Sequence, residues 1–194
     1  FSFIKEGPID MRMDTSIKMT AFLWLKKAEI KDISRVLKIY GEEKYSYKIA
    51  KSIKSAVNEN KLQTTIDLAK IIKDCYPKNK FNKINPATRS FQAIRIFVNK
   101  ELDELERILD DCLEIIAIGG RLVVISFHSL EDRIVKNFIN KHSLGKEIIS
   151  KIPITNIDQN LKLKKIKTPL KASENEIKEN VRARSARIRV AEKI

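Results

Sequence analysis

The sequence has few cysteines and no long apolar run, and each shortage excludes a class of protein. Cys75 and Cys112 are far apart and have no neighbouring His or Cys, which excludes a disulfide scaffold and a zinc cluster and fits a reducing cytoplasm. No run approaches the roughly 18 to 20 apolar residues of a membrane-spanning helix, which excludes an integral membrane protein. No basic region followed by an apolar stretch opens the chain, so no signal peptide is predicted.

Glycine is also scarce, and its scarcity limits what the chain can bind. Only five glycines occur, and the single adjacent pair, Gly119-Gly120, precedes an apolar run instead of following one. A doubly wound nucleotide-binding sheet carries its glycine-rich turn after the first strand, so we expect any cofactor loop to lie outside this sequence. The chain begins with Phe1 rather than Met, and we therefore expect a fragment or a processed chain.

The composition is that of a folded, strongly basic protein. The 194 residues are 43% apolar and 33% charged, and 39 basic against 25 acidic residues give a net charge of +14. Such an excess favours a polyanionic partner, above all a nucleic acid. The abundance of Lys and Ile also fits an A+T-rich coding sequence, and such a coding bias would account for part of the basic excess.

The basic residues are concentrated towards the end of the chain. Residues 141–194 hold ten lysines and four arginines against six acids, and all four arginines lie within 182–189. Arginine binds phosphate with two parallel hydrogen bonds, which lysine cannot do. The segment is thus either a nucleic-acid contact or a solvated basic tail.

The first half of the chain predicts an all-helical unit after a short loop. Apolar residues recur at helical spacing from about Ser16, Gly41 is a stop signal, a second helix covers about 43–57, and a third covers 64–75. A polar stretch between Pro77 and Pro86 is typical of a linker. The predicted domains are a loop at 1–15, a helical domain at 16–84 and an α/β part at 85–194.

The second half predicts alternating helices and strands. Asn85 is the expected N-cap of one long helix that starts at Pro86 and ends at Gly119. Residues 121–127 are short, β-branched and apolar, as in a parallel strand buried on both faces. The elements expected after it are a helix over 130–139, a strand over 161–167, a short helix capped by Ser173 and Glu176, and a last strand over 186–194 with Ile188 and Val190 facing inward.

Three short motifs carry side chains suited to chemistry. In the sequence DMRMD, an extended backbone would point Asp10, Arg12 and Asp14 the same way, where they would hold a polar substrate or one another. The alternative is a surface loop tied by an Asp–Arg pair. In NPATRSFQAIRI, Arg89 lies at a helix start that suits a phosphate, although an ordinary helix start explains the same spacing.

The third motif, ISFHSLEDR, follows the predicted buried strand. His128 lies at the carboxyl end of that strand, the end that faces the ligand crevice in open α/β sheets. It is suited to orient or deprotonate a substrate amine, or it bonds only to a backbone group. Ser129 is the predicted N-cap of the following helix, with Asp132 at the capping-box position.

Four strings together closely resemble one known family over nearly the whole chain: GPIDMRMD, NPATRSFQAIRIFVNKEL, GGRLVVISFHSLEDRIVKNF and ENVRARSARIRVAEK. The family is that of the bacterial 16S rRNA cytosine-N4 methyltransferases (RsmH, also called MraW). The resemblance implies the C-terminal half of a Rossmann-like class I methyltransferase sheet with an inserted all-helical domain at 16–84. It also implies S-adenosyl-L-methionine as methyl donor and a cytidine in the decoding region of the small ribosomal subunit as substrate.

The resemblance further implies which residues act. Four would line the cytidine: Asp10, Arg12, Asp14 and His128. Three would bind RNA: Arg182, Arg184 and Arg89. The resemblance also implies that the family's cofactor motifs come before Phe1, so the methyl-donor contacts are expected mainly outside this chain. No metal is expected. Val181 stands where the family usually has Pro. The alternative is a non-catalytic RNA-binding module or remnant without a cofactor site, and the oligomeric state is not predicted.

Overall fold

The computed structural model describes residues 2, 4–77, 85–143, 161–166 and 169–194. These residues form two compact units, Phe1–Glu101 and Leu102–Ile194. Much of the predicted linker before Pro86, and all of the segment 144–160, lie outside the described residues. The domain boundaries at 15/16 and 84/85 stay a prediction.

The first unit is helical, and its helices pack on one apolar core. In the described residues they are α1 (Ala21–Lys27), α2 (Ile30–Gly41), α3 (Ser46–Asn58), α4 (Thr65–Asp74) and α5 (Ala87–Asn99). α2 contacts both α3 and α5. Apolar residues three or four apart form the buried stripe of each helix, and fully buried examples include Leu25, Ile33, Leu37, Ile53, Leu68 and Ile94.

Gly41 ends α2 as predicted, and the structure shows why a glycine is required there. A Cβ atom at this position would lie 2.7 Å from the carbonyl oxygen of Arg89 and 3.2 Å from Cβ of Ala93. The close approach of α2 and α5 therefore depends on the missing side chain. Glu42 follows in the left-handed conformation with φ of 48°, which turns the chain out of the helix.

The prediction of one long helix from Pro86 to Gly119 is wrong. The helix begins at Ala87 with Pro86 in the N-cap position, one residue later than predicted, and Asn85 Oδ1 accepts a hydrogen bond of 2.9 Å from the Ala87 amide. However, α5 ends at Asn99, and α6 (Glu101–Ile115) begins after Lys100, whose φ is 51°. A single left-handed residue breaks the helix without disturbing the apolar spacing, so the sequence pattern carries no sign of the break.

The second unit is a mixed α/β arrangement around a small antiparallel sheet. After α6 come β1 (Arg121–Ser126), α7 (Ser129–Ser143), β2 (Leu163–Lys165), β3 (Leu170–Lys171), α8 (Glu174–Glu179), a 3₁₀ turn (Val181–Ser185) and β4 (Arg187–Lys193). β4 is central and pairs antiparallel with β1, β2 and β3. The predicted strands and the capping box of Ser173 with Glu176 are present. The α/β class is confirmed, while the Rossmann-like assignment stays a prediction.

The prediction that β1 is buried on both faces, as in a parallel sheet, is wrong for the described chain. Leu122 and Ser126 are buried against α6 and α7, but Val123 and Ile125 on the other face are 57% and 54% exposed. Both faces of the strand are apolar, as the sequence indicates. The described residues provide helices for one face only, and the neighbour of β1 within them is antiparallel.

The inward side of β4 is also the opposite of the prediction. Arg189 and Ala191 are the buried residues of this strand, whereas Ile188 and Val190 are half-buried and lie opposite Ile125 and Val123. Alternation assigned the apolar residues to the core. The core instead accepts Arg189, because a buried carboxylate on α7 pairs with it.

Candidate functional site

The loop that carries Asp10, Arg12 and Asp14 is not extended. Met11 has φ of 60°, so the three polar side chains do not form the predicted row. Arg12 instead donates two hydrogen bonds to the Asp10 carboxylate, from Nε to Oδ1 at 2.5 Å and from Nη2 to Oδ2 at 2.8 Å. This is the Asp–Arg pair that the sequence left as an alternative, and the Arg12 hydrogen bonds hold the pKa of Asp10 below its usual range.

Arg12 also closes the turn that follows it. Its Nη1 atom donates to the carbonyl oxygens of Thr15, at 3.0 Å, and of Ile17. All three guanidinium nitrogens are thus engaged inside the loop, which makes Arg12 an organiser of the loop. The exposed acid is Asp14, whose Oδ1 accepts from the Ser16 amide at 2.8 Å, and this bond lowers the pKa of Asp14.

His128 caps α7, so the prediction of Ser129 as the N-cap is wrong. Nδ1 of His128 accepts a hydrogen bond of 3.4 Å from the Glu131 amide, and Glu131 Oε2 accepts in return from the amides of Phe127 and His128 at 2.8 and 3.3 Å. The reciprocal pair is therefore shifted back by one residue. Asp132, the expected partner of Ser129, is bound by arginines of β4 instead.

This capping bond fixes the proton of His128. Because Nδ1 accepts from an amide, a neutral imidazole carries its proton on Nε2. Nε2 is buried and lies 3.1 Å from Glu131 Oε1 without making a hydrogen bond to any described atom. As placed, the Nε2 atom of His128 faces the Glu131 carboxylate and not the solvent. Burial raises the pKa of Glu131, but the contacts with His128 and the Phe127 amide outweigh it and leave that pKa lowered.

The most buried charged cluster of the second unit was not anticipated from the sequence. Asp132 accepts from Arg189 Nε at 2.6 Å and Nη2 at 3.0 Å, and from Arg187 Nη1 at 3.0 Å. The Arg189 hydrogen bonds hold the pKa of Asp132 below its usual range, against the effect of burial. The spacing of Arg187 and Arg189, two apart in a strand, was the signal that both lie on one face of the sheet.

The arginines predicted to bind RNA are exposed. Arg182 and Arg184 lie on the 3₁₀ turn, where Asn180 Oδ1 accepts from the Arg182 amide at 3.1 Å. No hydrogen bond or ion pair of these two side chains to another described residue is observed. Arg187, 46% exposed and tied to Asp132 by one nitrogen only, adds a third cation to the same stretch. Arg89 is exposed in the first turn of α5.

The turn after β1 does not form an anion cradle. The amides of Phe127 and His128, which would face a ligand at a strand end, both donate to Glu131. Within the described residues, no group of three or more His, Cys, Asp or Glu side chains is arranged to hold a metal ion. In the same part of the chain, no helix has the length and apolar character to cross a membrane.

Comparison with known proteins gives matches that cover this chain from end to end. The family model described as the MraW methylase family matches residues 1–194. A protein of Coxiella burnetii (strain Dugway 5J108-111) named ribosomal RNA small subunit methyltransferase H is 50% identical over the whole chain, and a protein of the same name from Hydrogenovibrio crunogenus is 48% identical. The chain spans 62% of the length of each of these curated relatives.

Proposed function

Because the chain belongs to the MraW methylase family, we propose that it is part of a methyltransferase that acts on the ribosomal RNA of the small subunit. The observation that carries this proposal is the match over all 194 residues to proteins named for that activity. The finer proposal is methylation of N4 of a cytidine in the decoding region of 16S rRNA. The exposed arginines of the second unit and the net charge of +14 support an RNA substrate.

The methyl donor proposed for the complete protein is S-adenosyl-L-methionine. The described residues do not fit this group: no glycine-rich turn follows a strand, and the amides after β1 are bonded to Glu131. We therefore assign no donor contact to this chain. Its share of the work is to bind the RNA and to orient the cytidine.

Cytidine contacts are proposed at Asp14 and at His128, each argued from its own loop. The exocyclic amine of cytosine is a poor nucleophile because its lone pair is conjugated with the ring, so it must be oriented and must lose a proton. The ionised carboxylate of Asp14 is suited to accept a hydrogen bond from that amine. His128 is proposed to orient the cytosine ring, which requires its Nε2 to leave the buried position beside Glu131. Arg12 and Asp10 hold the loop that presents Asp14.

The RNA contact is proposed at Arg182 and Arg184, with Arg89 as a further phosphate contact. The 3₁₀ turn fixes the backbone of the first two arginines while their side chains stay free to bind phosphate oxygens. Two capped ends secure this turn, since Asn180 Oδ1 accepts from the Arg182 amide and the Ala186 amide donates to the Ala183 carbonyl oxygen at 2.9 Å.

The proposed Rossmann-like sheet needs more strands than the described residues provide. One edge of β1 has no strand beside it among them, and one of its faces is apolar and exposed. The relatives are longer than this chain, and we propose that the remaining length supplies both a strand for this edge and a cover for this face. The sheet would then resemble the buried parallel sheets of other α/β proteins.

A second candidate function is a non-catalytic RNA-binding module. It is favoured by one observation, the lack of a described cofactor cradle in a strongly basic chain. The two candidates differ in one respect, because only the first predicts methylated RNA when the rest of the family's length is present.

The deciding experiment measures methyl transfer to small ribosomal subunits that lack the modification. The 194-residue chain is assayed alone and together with a polypeptide that covers the remaining length of the Coxiella burnetii relative, and nucleosides are analysed by mass spectrometry. N4-methylcytidine in the combined assay supports the methyltransferase. RNA binding without any methylated nucleoside, while a full-length relative is active in the same assay, supports the binding module.

Variants then test the residue assignments. Asp14→Asn and His128→Ala are expected to lower turnover far more than RNA affinity, whereas Arg182→Gln with Arg184→Gln is expected to weaken RNA binding. Unchanged turnover in both Asp14→Asn and His128→Ala would remove these residues from the cytidine side.

A further inference from the structure

One side of α3 is basic along its whole length and carries no acid. The thirteen residues of this helix include Lys48, Lys51 and Lys54 and neither Asp nor Glu. Lys44 precedes the helix and Tyr47 lies in its first turn. At about 100° per residue, Tyr47, Lys48, Lys51 and Lys54 fall on one sector of the helix surface. We call these four residues, together with the exposed Lys44 of the preceding turn, the α3 face.

The opposite side of α3 anchors the helix. Ile49, Ala50 and Ile53 are fully buried, and Ser46 and Ala56 are nearly so. The orientation of the helix is therefore set by the core of the first unit. The α3 face must point away from that core, and Lys44, Tyr47, Lys48 and Lys51 are indeed exposed.

The lysines of this face have no acidic partner among the described residues. Lys48 Nζ donates to the Cys75 carbonyl oxygen at 2.9 Å, and Lys54 Nζ donates to the Lys26 carbonyl oxygen at 2.8 Å. These bonds hold two ammonium groups in place without neutralising them. The second bond also brings the basic end of α1, with Lys26 and Lys27, beside the face.

Tyr47 adds an aromatic surface to these charges. Its side chain is 65% exposed, so the ring is accessible for stacking. Lysines beside an exposed ring are the pairing that binds single-stranded nucleic acid, because the cations contact the backbone and the ring stacks on a base.

The neighbouring groove between α3 and α4 is a poorer candidate for a polyanion. Its volume is about 570 Å³, and its charged lining balances Lys48, Lys61 and Lys70 against Glu59, Asp67 and Asp74. A phosphate there would meet as many carboxylates as ammonium groups. The uncompensated charge of the α3 face lies on Lys44, Lys51 and Lys54, which do not line this groove.

We infer that the α3 face is a second RNA contact, separate from the arginines of the second unit, and that it holds unpaired RNA by phosphate binding and by stacking on Tyr47. The helix rise places Tyr47 and Lys54 about 10 Å apart along the axis, which is long enough for a few nucleotides. This inference rests on the proposed function only in taking RNA as the substrate.

The test measures binding of the 194-residue chain to a fluorescent single-stranded RNA with the decoding-region sequence, over a range of salt concentrations. Lys44→Gln with Lys51→Gln is expected to weaken binding about tenfold and to reduce the salt slope by about 1.4, since each phosphate contact on a single strand contributes about 0.7. Tyr47→Ala is expected to weaken RNA binding about tenfold and to leave the salt slope unchanged. Tyr47→Phe should bind like the parent, because the ring is retained.

A matched control removes the same charge from another helix of the same unit. Lys31→Gln with Lys38→Gln, on α2, is expected to change binding by less than about threefold at moderate salt. Circular dichroism melting confirms that each variant is folded. Equal losses in the α2 and α3 variants, or full affinity in the α3 variants, would overturn the inference.

The same experiment separates this inference from the proposed function. If the parent binds RNA and only Arg182→Gln with Arg184→Gln weakens it, the α3 face is rejected while the RNA substrate stands. If the parent shows no salt-dependent RNA binding, the proposed substrate is rejected together with the α3 face.

Discussion

Asp132 links α7 to β4 through three hydrogen bonds from two arginines, and it does so almost out of contact with water. Replacing it by Asn keeps the shape but leaves the Arg189 charge buried without a counterion. We predict that Asp132→Asn lowers the free energy of unfolding of the chain by about 3 kcal/mol, measured by urea denaturation.

Glu192 provides the matched control for that variant. Its ion pair with Arg121 also involves β4, which it joins to β1, but it is long at 3.4 Å and solvent-exposed on the arginine side. Glu192→Gln is expected to cost less than about 1 kcal/mol. If both variants lose a similar free energy of unfolding, burial does not make the Asp132 ion pair more important for stability than an exposed one.

The same carboxylate predicts how stability depends on pH. The arginines lower the pKa of Asp132 in the folded state, so its contribution is complete above the unfolded pKa of about 3.9 and is lost as the pH falls below that value. We predict that the urea midpoint declines on acidification below about pH 4. The decline should be shallower in Asp132→Asn, and an identical pH profile in both proteins would contradict this assignment.

Gly41 is predicted to be intolerant of any side chain. A Cβ atom would lie 2.7 Å from a backbone oxygen of α5, which cannot move without separating the helices. Gly41→Ala is expected to cost about 1 to 3 kcal/mol by overpacking and to lower the melting temperature. Gly7→Ala is the control, since nothing lies within 4 Å of its Cβ position. Equal melting temperatures for the two variants would refute the close approach.

At this scale the sequence predicted the kinds of residue more reliably than their partners. It named the Asp10–Arg12 pair and a backbone role for His128 as alternatives, and both are present. It missed the Asp132–Arg189 pair because a pattern of charges along a chain does not show which distant strand will face which helix.

Among the helices, the break between α5 and α6 depends on one strained residue. Lys100 has φ of 51°, a conformation that costs an L-residue roughly 1 to 2 kcal/mol. Lys100→Gly relieves this strain but increases the freedom of the unfolded chain. We predict a net gain of about 0.5 kcal/mol, measured as a higher melting temperature.

Lys100→Ala separates the backbone effect from the loss of the lysine side chain. Alanine retains the Cβ atom and hence the strain, so no gain is expected. If both substitutions stabilise the chain equally, the lysine side chain and not the backbone conformation is responsible.

Element starts and stops were predictable where a local signal exists. Asn85, Gly41 and the capping box of Ser173 are such signals, because each bonds or packs within a few residues of the boundary. The break at Lys100 and the inward face of β4 have no such signal. The first changes the backbone of only one residue, and the second is decided by Asp132, more than 50 residues away in sequence.

For the whole chain, the exposed face of the sheet predicts self-association. Val123 and Ile125 lie opposite Val190 and Ile188, so four apolar side chains form one patch next to an edge of β1 that has no described neighbour. Exposed apolar strand edges pair readily with other chains. We predict that the isolated chain forms oligomers, detected by light scattering, and that Val123→Thr with Ile125→Thr reduces them.

Leu122→Thr is the control for this prediction. Leu122 lies on the same strand but is buried against the helices, so its replacement should destabilise the second unit and increase aggregation. If Val123→Thr with Ile125→Thr aggregates as strongly as the parent, another surface is responsible for the association.

The family was predictable from sequence because long motif strings carry far more information than spacing. The overall α/β class followed from alternating helical and apolar segments. The sheet could not be predicted completely, because the apolar residues of a strand suit the neighbours that it has in the whole protein. This chain spans 62% of its relatives' length.

The central place of β4 has a consequence for synthesis on the ribosome. β4 follows β1, β2 and β3 in the chain yet pairs with all three. The helices of the first unit contact one another and are complete once α5 has left the exit tunnel, so that unit can fold co-translationally. The second unit must wait for β4, and until then its apolar strand is exposed to chaperones and proteases. A nonsense mutation shortly before Arg187 would therefore leave a folded helical unit joined to a segment that cannot form its sheet.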